Sequence, residues 1–426
     1  MKIMKILMVL AVLPALLLAA CSGVSASLQN QPGVSAQVAS NQAAQSAQTA
    51  AIRPINQAVP LAQVQVPTSL SAFQDTFEQI YTKVNPSVVN IQTEISATAA
   101  SGNNQGNSPF GNPFNNPNQG GGSALGSGFI WDVQGHIVTN NHVISGASKI
   151  TVTFSDGSVY DATVVGADAN ADLAVLKVNA PASLLVPVEI ADSTQVKVGQ
   201  IAVAIGNPYG LSGSMTEGIV SALQRSLPVG ESQTSGPHYS IPDIIQTDAS
   251  INPGNSGGVL VDDQGRLIGV TAAIESATNS NSGIGFVIPS AIVKKVVPAL
   301  ISSGKYDHPW LGISGTDLTP DLTSANNLKS TQRGVLVVSV VSGSPAEKAG
   351  LQGSTQANSS SNIQATPTGG DVIVGIDNQP VKSFGDLSSY LFNNTKPGQT
   401  VTLNILRNGQ QRSLQLTLGT LPASGG

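Results

Sequence analysis

Three residues with the side chains needed for nucleophilic catalysis lie in three separate segments of the chain. They are His142 in residues 139–143, Asp172 at the start of residues 172–176, and Ser256 in the glycine-rich run 252–258. A serine hydroxyl becomes a strong nucleophile when a histidine removes its proton, and a carboxylate on the other imidazole nitrogen stabilises the imidazolium that forms. The segments therefore predict covalent catalysis, with Ser256 as nucleophile, His142 as base and Asp172 as the partner of the base.

The glycines that surround Ser256 predict a second catalytic element. Because glycine lacks a Cβ atom, it allows a tight turn whose backbone N–H groups point at a reacting oxygen. We expect such an oxyanion hole at Gly254, Asn255 and Ser256, with the N–H groups of Gly254 and Ser256 as donors. Each segment alone is more typical of an ordinary turn or of packing. Their joint occurrence in the order His, Asp, Ser favours the catalytic interpretation.

The composition excludes several other classes of function. The 426 residues carry a net charge of −5, so no strong positive field attracts a nucleic acid. The single cysteine, Cys21, cannot form an intramolecular disulfide or a thiolate metal cluster. The other histidines, His136, His238 and His308, lack paired spacing, so we predict no metal site and no cofactor.

Short apolar runs separated by turn residues fill the segment from Ser87 to Ile288. They include residues 88–91, 128–130, 150–154, 173–178, 201–205 and 267–271. This pattern is typical of an antiparallel sandwich or barrel, so we predict a mainly β fold. Helical spacing of apolar residues from Phe73 to Tyr81 predicts a short helix before it. A stretch of Gly, Asn, Gln and Pro at 99–122 predicts a mobile surface loop within it.

A second, smaller unit is predicted after a helix at 289–303, which we expect to end at Gly304. It covers residues 304–421 and has an α+β pattern. Its predicted elements are strands at 335–341, 372–376, 400–406 and 412–418, a helix near 384–391, and a polar insertion at 352–369.

The N-terminus predicts export. In residues 1–20, two lysines precede an apolar run that is shorter than the roughly 20 residues of a spanning helix. Residues 18–21 resemble a bacterial lipobox, which implies acylation of Cys21 and a membrane-anchored lipoprotein on the periplasmic or extracellular side of the cell envelope. An ordinary cleaved signal is the alternative. Residues 21–70 have little patterned apolar surface and predict a disordered tether.

We expect the mature protein to begin at a diacylated Cys21. Mass spectrometry of the N-terminal peptide from membrane-extracted protein measures this directly. An N-terminus without lipid would contradict lipidation while leaving export intact.

Taken together, the motifs resemble those of the HtrA/Deg family of serine proteases. The resemblance covers about Phe73 to Leu421, and its most specific segments are 139–143, 172–176, 206–210, 246–249, 252–258 and 283–289. It implies a trypsin-like double six-stranded β-barrel at 71–303, followed by a PDZ domain at 304–421. It further implies ATP-independent cleavage of misfolded or damaged exported proteins by a homotrimer or a higher multiple of trimers.

Within the second unit, residues 310–313 resemble the carboxylate-binding loop of PDZ domains. Successive backbone N–H groups of such a loop hold a terminal carboxylate, while the peptide adds as a strand beside a helix. This implies binding of hydrophobic C-terminal tails. The predicted groove residues are Trp310, Leu311, Gly312, Ile313, Leu387 and Leu391.

The segment before the nucleophile suggests the substrate preference. Residues 249–252 contain no acidic side chain that would pair with Lys or Arg of a substrate. With Ile251 and Ile274 as walls of the specificity pocket, we expect cleavage after small to medium aliphatic residues such as Val, Ala or Ile. Two alternatives to a quality-control protease stay open: a catalytically weak holdase, and a stress sensor that cuts a single regulatory substrate.

Overall fold

A computed structural model describes residues 68–95, 122–208, 213–229, 239–274, 283–355 and 366–422. The predicted signal, Cys21 and residues 21–67 of the predicted tether lie outside these ranges. So do nearly all of the predicted loop at 99–122, the middle of the insertion at 352–369, and His238. Residues 68–70, predicted as the end of the tether, belong instead to the first helix.

The N-terminal part of the described chain forms a closed six-stranded barrel. Helix α1 (Thr68–Val84) leads into it, and the single-turn helix α2 (Asn141–Ile144) follows its third strand. The strands pair in the order β1-β2-β3-β6-β5-β4. Their bounds are β1 (Val88–Ile95), β2 (Gly122–Ile130), β3 (His136–Thr139), β4 (Lys149–Thr153), β5 (Val159–Asp168) and β6 (Leu173–Val178).

A second closed six-stranded barrel follows directly. Its strands pair in the order β10-β11-β12-β9-β8-β7, all antiparallel. Their bounds are β7 (Ile201–Gly206), β8 (Ser214–Val229), β9 (Tyr239–Thr247), β10 (Val259–Val261), β11 (Leu267–Ile274) and β12 (Gly285–Pro289). The predicted fold, mainly β with two six-stranded barrels, is confirmed.

Helix α3 (Ser290–Ser303) packs the two barrels together. Its apolar residues recur at helical spacing, and those from Ile292 to Leu300 are fully buried in one cluster with side chains from both barrels. The helix ends as predicted at Gly304, which has a φ of +76° and donates its N–H to the Leu300 carbonyl at 3.0 Å. Glycine suits this position because a side chain is disfavoured at positive φ.

The C-terminal unit is built on a six-stranded antiparallel sheet, in which five strands form one path and a sixth, short strand pairs with one of them, and its described residues also form three helices. Its path runs β14-β15-β16-β18-β19, so that β14 lies at one edge. The strands are β13 (Pro309–Trp310), β14 (Ile313–Asp317), β15 (Val335–Val340), β16 (Val372–Ile376), β17 (Gln379–Pro380), β18 (Thr400–Arg407), β19 (Gln410–Thr417) and β20 (Gly419–Thr420). The helices are α4 (Pro320–Ala325), α5 (Pro345–Lys348) and α6 (Phe384–Asn394). Within the described ranges, no helix has both the length and the apolar character needed to cross a bilayer.

A buried ion pair fixes the middle of this unit. Arg407 donates through Nε and Nη2 to the two carboxylate oxygens of Asp371, each at 2.7 Å. Asp371 is fully buried and also accepts the N–H of Gln352 at 2.8 Å, while Arg407 Nη2 reaches the Gly350 carbonyl. The hydrogen bonds that Arg407 donates to Asp371 raise the pKa of its guanidinium. The pair therefore ties β16 and β18 to the base of the polar insertion.

Replacing Asp371 with Ala should destabilise the C-terminal unit by about 3 kcal/mol, because the guanidinium then loses its partner in a largely buried site. Urea unfolding followed by circular dichroism measures the change. The matched control is Asp161→Ala, whose exposed carboxylate lies 3.8 Å from Lys149 and should contribute less than about 0.5 kcal/mol. Equal effects of the two substitutions would contradict the assignment.

Candidate active site

Two neighbouring strands of the first barrel bring His142 and Asp172 together. His142 lies in α2 just after β3, Asp172 lies just before β6, and the two strands pair through Thr139 and Ala174. The Nδ1 atom of His142 lies 2.8 Å from one carboxylate oxygen of Asp172, and its backbone N–H donates to the other at 3.0 Å. With Nδ1–H donating to the carboxylate, Nε2 is left as an acceptor for a hydroxyl proton.

Two other histidines form similar pairs that sequence reasoning missed. His136 lies 2.6 Å from Asp132, whose carboxylate also accepts N–H groups of its own turn. His308 lies 2.6 Å from Asp168, and both side chains are almost fully buried. The His142 ring is 21% exposed, against 2% for His308. A substrate can therefore reach His142, whereas the His308 pair serves the packing of the domain junction.

A tight turn places the residues before the predicted nucleophile. The N–H of Asn255 donates to the Asn252 carbonyl at 2.9 Å, and Gly254 has a φ of +93°. A positive φ at the third position, after a proline, is typical of a type II turn. Because this turn uses the N–H of Asn255 for its own hydrogen bond, the N–H groups of Gly254 and Ser256 are the better candidates among the predicted oxyanion donors.

Ser256 lies where the second barrel meets the first. Its hydroxyl donates to the Ala272 carbonyl at 3.1 Å, and its own carbonyl accepts the N–H of Ser127 at 2.8 Å. The next residue, Gly257, packs so closely that a Cβ atom there would collide with the Ser127 carbonyl and the Thr139 hydroxyl, and would lie 3.2 Å from the Asn140 nitrogen. The serine turn therefore contacts the chain immediately before His142.

The Ser127 side chain holds this turn, and sequence reasoning missed it. Its hydroxyl donates to the Gly254 carbonyl at 2.6 Å and accepts the N–H of Asn207 at 2.8 Å. Ser127 is fully buried. The available signal was its place between Gly126 and Gly128, because glycines within a strand often mark close backbone approach.

The two residues predicted to line the specificity pocket do not define a pocket in the described part of the structure. Ile251 is only 1% exposed and packs in the core of the second barrel, with its Cδ1 atom 2.6 Å from where a Cβ atom on Gly285 would lie. Ile274 ends β11, but its side chain lies outside the described part of the chain. The specificity pocket stays a prediction.

The predicted peptide groove is assembled between β14 and α6. All six predicted residues line one cavity there, from Trp310 to Ile313 and with Leu387 and Leu391. The cavity also contains residues that the sequence did not indicate: Ser240, Pro309, Phe384, Ser388, Phe392 and Leu421. Ser240 belongs to β9, so the second barrel contributes to the rim of the groove.

Helix α6 is held against the second barrel by polar contacts. The Asp243 carboxylate accepts hydrogen bonds from Ser389 at 2.9 Å and Asn393 at 2.6 Å. Lys295 of α3 donates to the carbonyls of Phe392 and Asn393 at the end of α6. Burial lowers the pKa of the Lys295 ammonium, and the nearby Asp243 carboxylate opposes that shift. One wall of the groove is therefore fastened to the barrels.

Comparison with known proteins defines the class of this chain. Residues 126–270 match the family model for a trypsin-like peptidase domain, and residues 309–418 match that for a PDZ domain. Protease Do-like 1 of Arabidopsis thaliana is 42% identical over 297 residues, covering 70% of this chain and 64% of that protein. The periplasmic pH-dependent serine endoprotease DegQ of Escherichia coli K12 is 40% identical over 302 residues, covering 70% of this chain and 60% of that protein.

Nearly the entire length of one solved structure is matched by this chain. The HtrA-type protease AlgW, solved with a decapeptide, superposes with a TM-score of 0.61 at 33% identity, covering 82% of this chain and 99% of that one. The chain belongs to the HtrA/Deg family of serine proteases. It spans less than two thirds of the length of the plant and Escherichia coli relatives.

Replacing Ser127 with Ala should lower kcat about 10- to 100-fold, because the turn that carries Gly254 loses a buried hydrogen bond and shifts. Steady-state peptide cleavage at several substrate concentrations measures the effect. The matched control, Ser123→Ala, removes an exposed hydroxyl from the same strand and should leave kcat unchanged. Wild-type kcat in the Ser127 variant would contradict a role in holding the turn.

Proposed function

We propose that this chain is a serine endopeptidase of the cell envelope that degrades misfolded or damaged exported proteins without ATP. The observation that supports this best is the hydrogen-bonded pair of His142 and Asp172 beside the glycine-rich turn of Ser256. The names of the relatives, which describe periplasmic serine endoproteases, support the same reaction and location.

The reaction follows from the side chains in the site. The Ser256 hydroxyl leaves the Ala272 carbonyl, transfers its proton to Nε2 of His142, and its oxygen attacks the carbonyl carbon of the peptide bond. Asp172 stabilises the imidazolium, and the N–H groups of Gly254 and Ser256 donate to the oxyanion. The imidazolium then protonates the leaving amine as the C–N bond breaks, which leaves an acyl ester on Ser256. His142 next takes a proton from water, whose oxygen attacks the ester carbonyl, and returns it to the Ser256 oxygen as the ester bond breaks.

The remaining parts of the proposal concern substrate and location. The PDZ domain binds hydrophobic C-terminal tails in the groove between β14 and α6 and regulates the activity. Cleavage occurs after small to medium aliphatic residues. The active form is a homotrimer or a multiple of trimers, attached to the membrane through acylated Cys21 and the tether at 21–70. The peptide-bound AlgW structures support peptide recognition by this type of protein.

The wild-type chain should hydrolyse casein, and Ser256→Ala should lower the rate by at least about 1,000-fold, because the nucleophile is removed. Release of acid-soluble fragments measures the turnover. His142→Ala should lose a comparable factor, because the two groups act as a unit. Equal turnover by the wild type and Ser256→Ala would refute the assignment, and binding of casein without turnover would favour a holdase.

The PDZ groove should bind a peptide with an apolar C-terminal residue at least about tenfold more tightly than its C-terminal amide, because the carboxylate is what the loop N–H groups hold. Fluorescence titration of the two peptides measures the ratio, and Trp310 in the groove is a natural reporter. Equal affinities would contradict carboxylate recognition.

A further inference from the structure

The backbone at Asp172 is left-handed, a conformation that residues with a Cβ atom rarely adopt. Its φ is +49°, in a region where side chains clash with the backbone. Such a residue needs surrounding contacts that fix it. Because the Asp172 carboxylate orients His142, the contacts that fix this backbone also set the direction of the carboxylate.

One of these contacts comes from Asn140. Its side chain is fully buried, and its Nδ2 atom donates to the backbone carbonyl of Asp172 at 2.9 Å. This hydrogen bond joins the end of β3 to the turn before β6, beside the two hydrogen bonds between His142 and the Asp172 carboxylate. Removing the donor would leave a carbonyl in a buried site without this partner.

Two local features show what the Asn140 side chain is placed for. Asn140 stands at the N-cap of α2, where an asparagine side chain commonly accepts a hydrogen bond from the first turn, yet it makes no such bond. Its Oδ1 atom is buried and has no hydrogen-bond partner in the described part of the chain. A missing cap hydrogen bond and a buried oxygen without a partner are both unfavourable. The side chain therefore contributes through its Nδ2 donor and not through its oxygen.

We propose that Asn140 is a positioning residue for catalysis, whose amide fixes the turn at Asp172 and so keeps the carboxylate on the backbone N–H and the Nδ1 atom of His142. This rests on the proposed function, in which the pair activates Ser256. Without the amide donor, the turn relaxes and the carboxylate leaves the Nδ1 atom, so the imidazolium is less stabilised in the transition state. The loss therefore falls on kcat and not on substrate binding.

The test compares Asn140→Leu with Asn141→Leu in the full chain. Asn141 is the neighbouring, half-buried residue, and its amide is not among the donors to Asp172. We expect Asn140→Leu to lower kcat about 10- to 100-fold with KM within about twofold. The lost buried hydrogen bond should lower the melting temperature by only a few degrees, so the variant stays folded at the assay temperature. The control should retain kcat within about twofold. Cleavage of a fluorogenic peptide and thermal unfolding supply these values.

Wild-type kcat in Asn140→Leu would overturn the proposal, and so would an equal loss in Asn141→Leu or a loss that only follows the folded fraction. Ser256→Ala is included in the same assay. If the wild type and Ser256→Ala cleave the peptide equally, the proposed function is what fails. If only Ser256→Ala is inactive and both asparagine variants are active, the positioning role alone fails.

Asn140→Asp decides the question if Asn140→Leu does not fold. The introduced carboxyl group has nearly the shape of the amide, but it can donate to the Asp172 carbonyl only when it is protonated. Burial beside another carboxylate favours that form. The activity relative to wild type should therefore rise as the pH falls from about 8 to about 6. A ratio that does not change with pH would overturn the proposal.

Discussion

A close backbone contact between the two barrels determines the geometry of the site. The Ser127 N–H donates to the Ser256 carbonyl, and the Ser127 hydroxyl donates to the Gly254 carbonyl. Gly257 makes this approach possible, because a Cβ atom there would collide with the Ser127 carbonyl. The serine turn is thus held by the barrel that also carries His142 and Asp172, and catalytic geometry depends on how well two separate sheets stay in contact.

Hydrogen bonds between separate elements also hold the PDZ domain against the barrels. Directional polar contacts fasten the elements there, beside the apolar packing of Phe392 in the core of the barrels: Asp243 binds α6, Lys295 binds two carbonyls near the end of α6, and His308 binds Asp168. Such contacts are specific in direction, since each donor needs its acceptor. Asp168 also accepts the N–H of Asn170, two residues before Asp172. The junction and the turn that carries Asp172 therefore share a residue.

The sequence predicted those parts of the fold that depend on local pattern. The apolar runs at 150–154 and 173–178 correspond to β4 and β6, and the helix ending at Gly304 follows from its apolar spacing and its glycine. Residue type and order pointed to His142, Asp172 and Ser256, and the structure places the first two in direct contact. These features predict well because burial and turn chemistry leave a periodic trace in the sequence.

Contacts between residues that are far apart along the chain produce no comparable pattern in the sequence. The partners of Ser127 and His308 lie 127 and 140 residues away along the chain. The support of Asp172 by Asn140 depends on a positive φ at Asp172. Aspartate adopts a positive φ more often than most residues, but the sequence alone does not show which aspartates do so. The packing of Ile251 in a core likewise depends on the tertiary position of Gly285, which periodicity does not encode.

The position of β14 at the edge of its sheet creates a risk of aggregation, which the short length and irregular pairing of the strand reduce. An edge strand that accepts a peptide is also a template for another molecule of the same protein, and thus a starting point for aggregation. In this chain the strand has only five residues, and its pairing with β15 shifts register between Ser314 and Gly315. Short length and an irregular register are features that discourage sheet-to-sheet growth. The strand at this edge can thereby stay open without joining one molecule to the next through its free backbone groups.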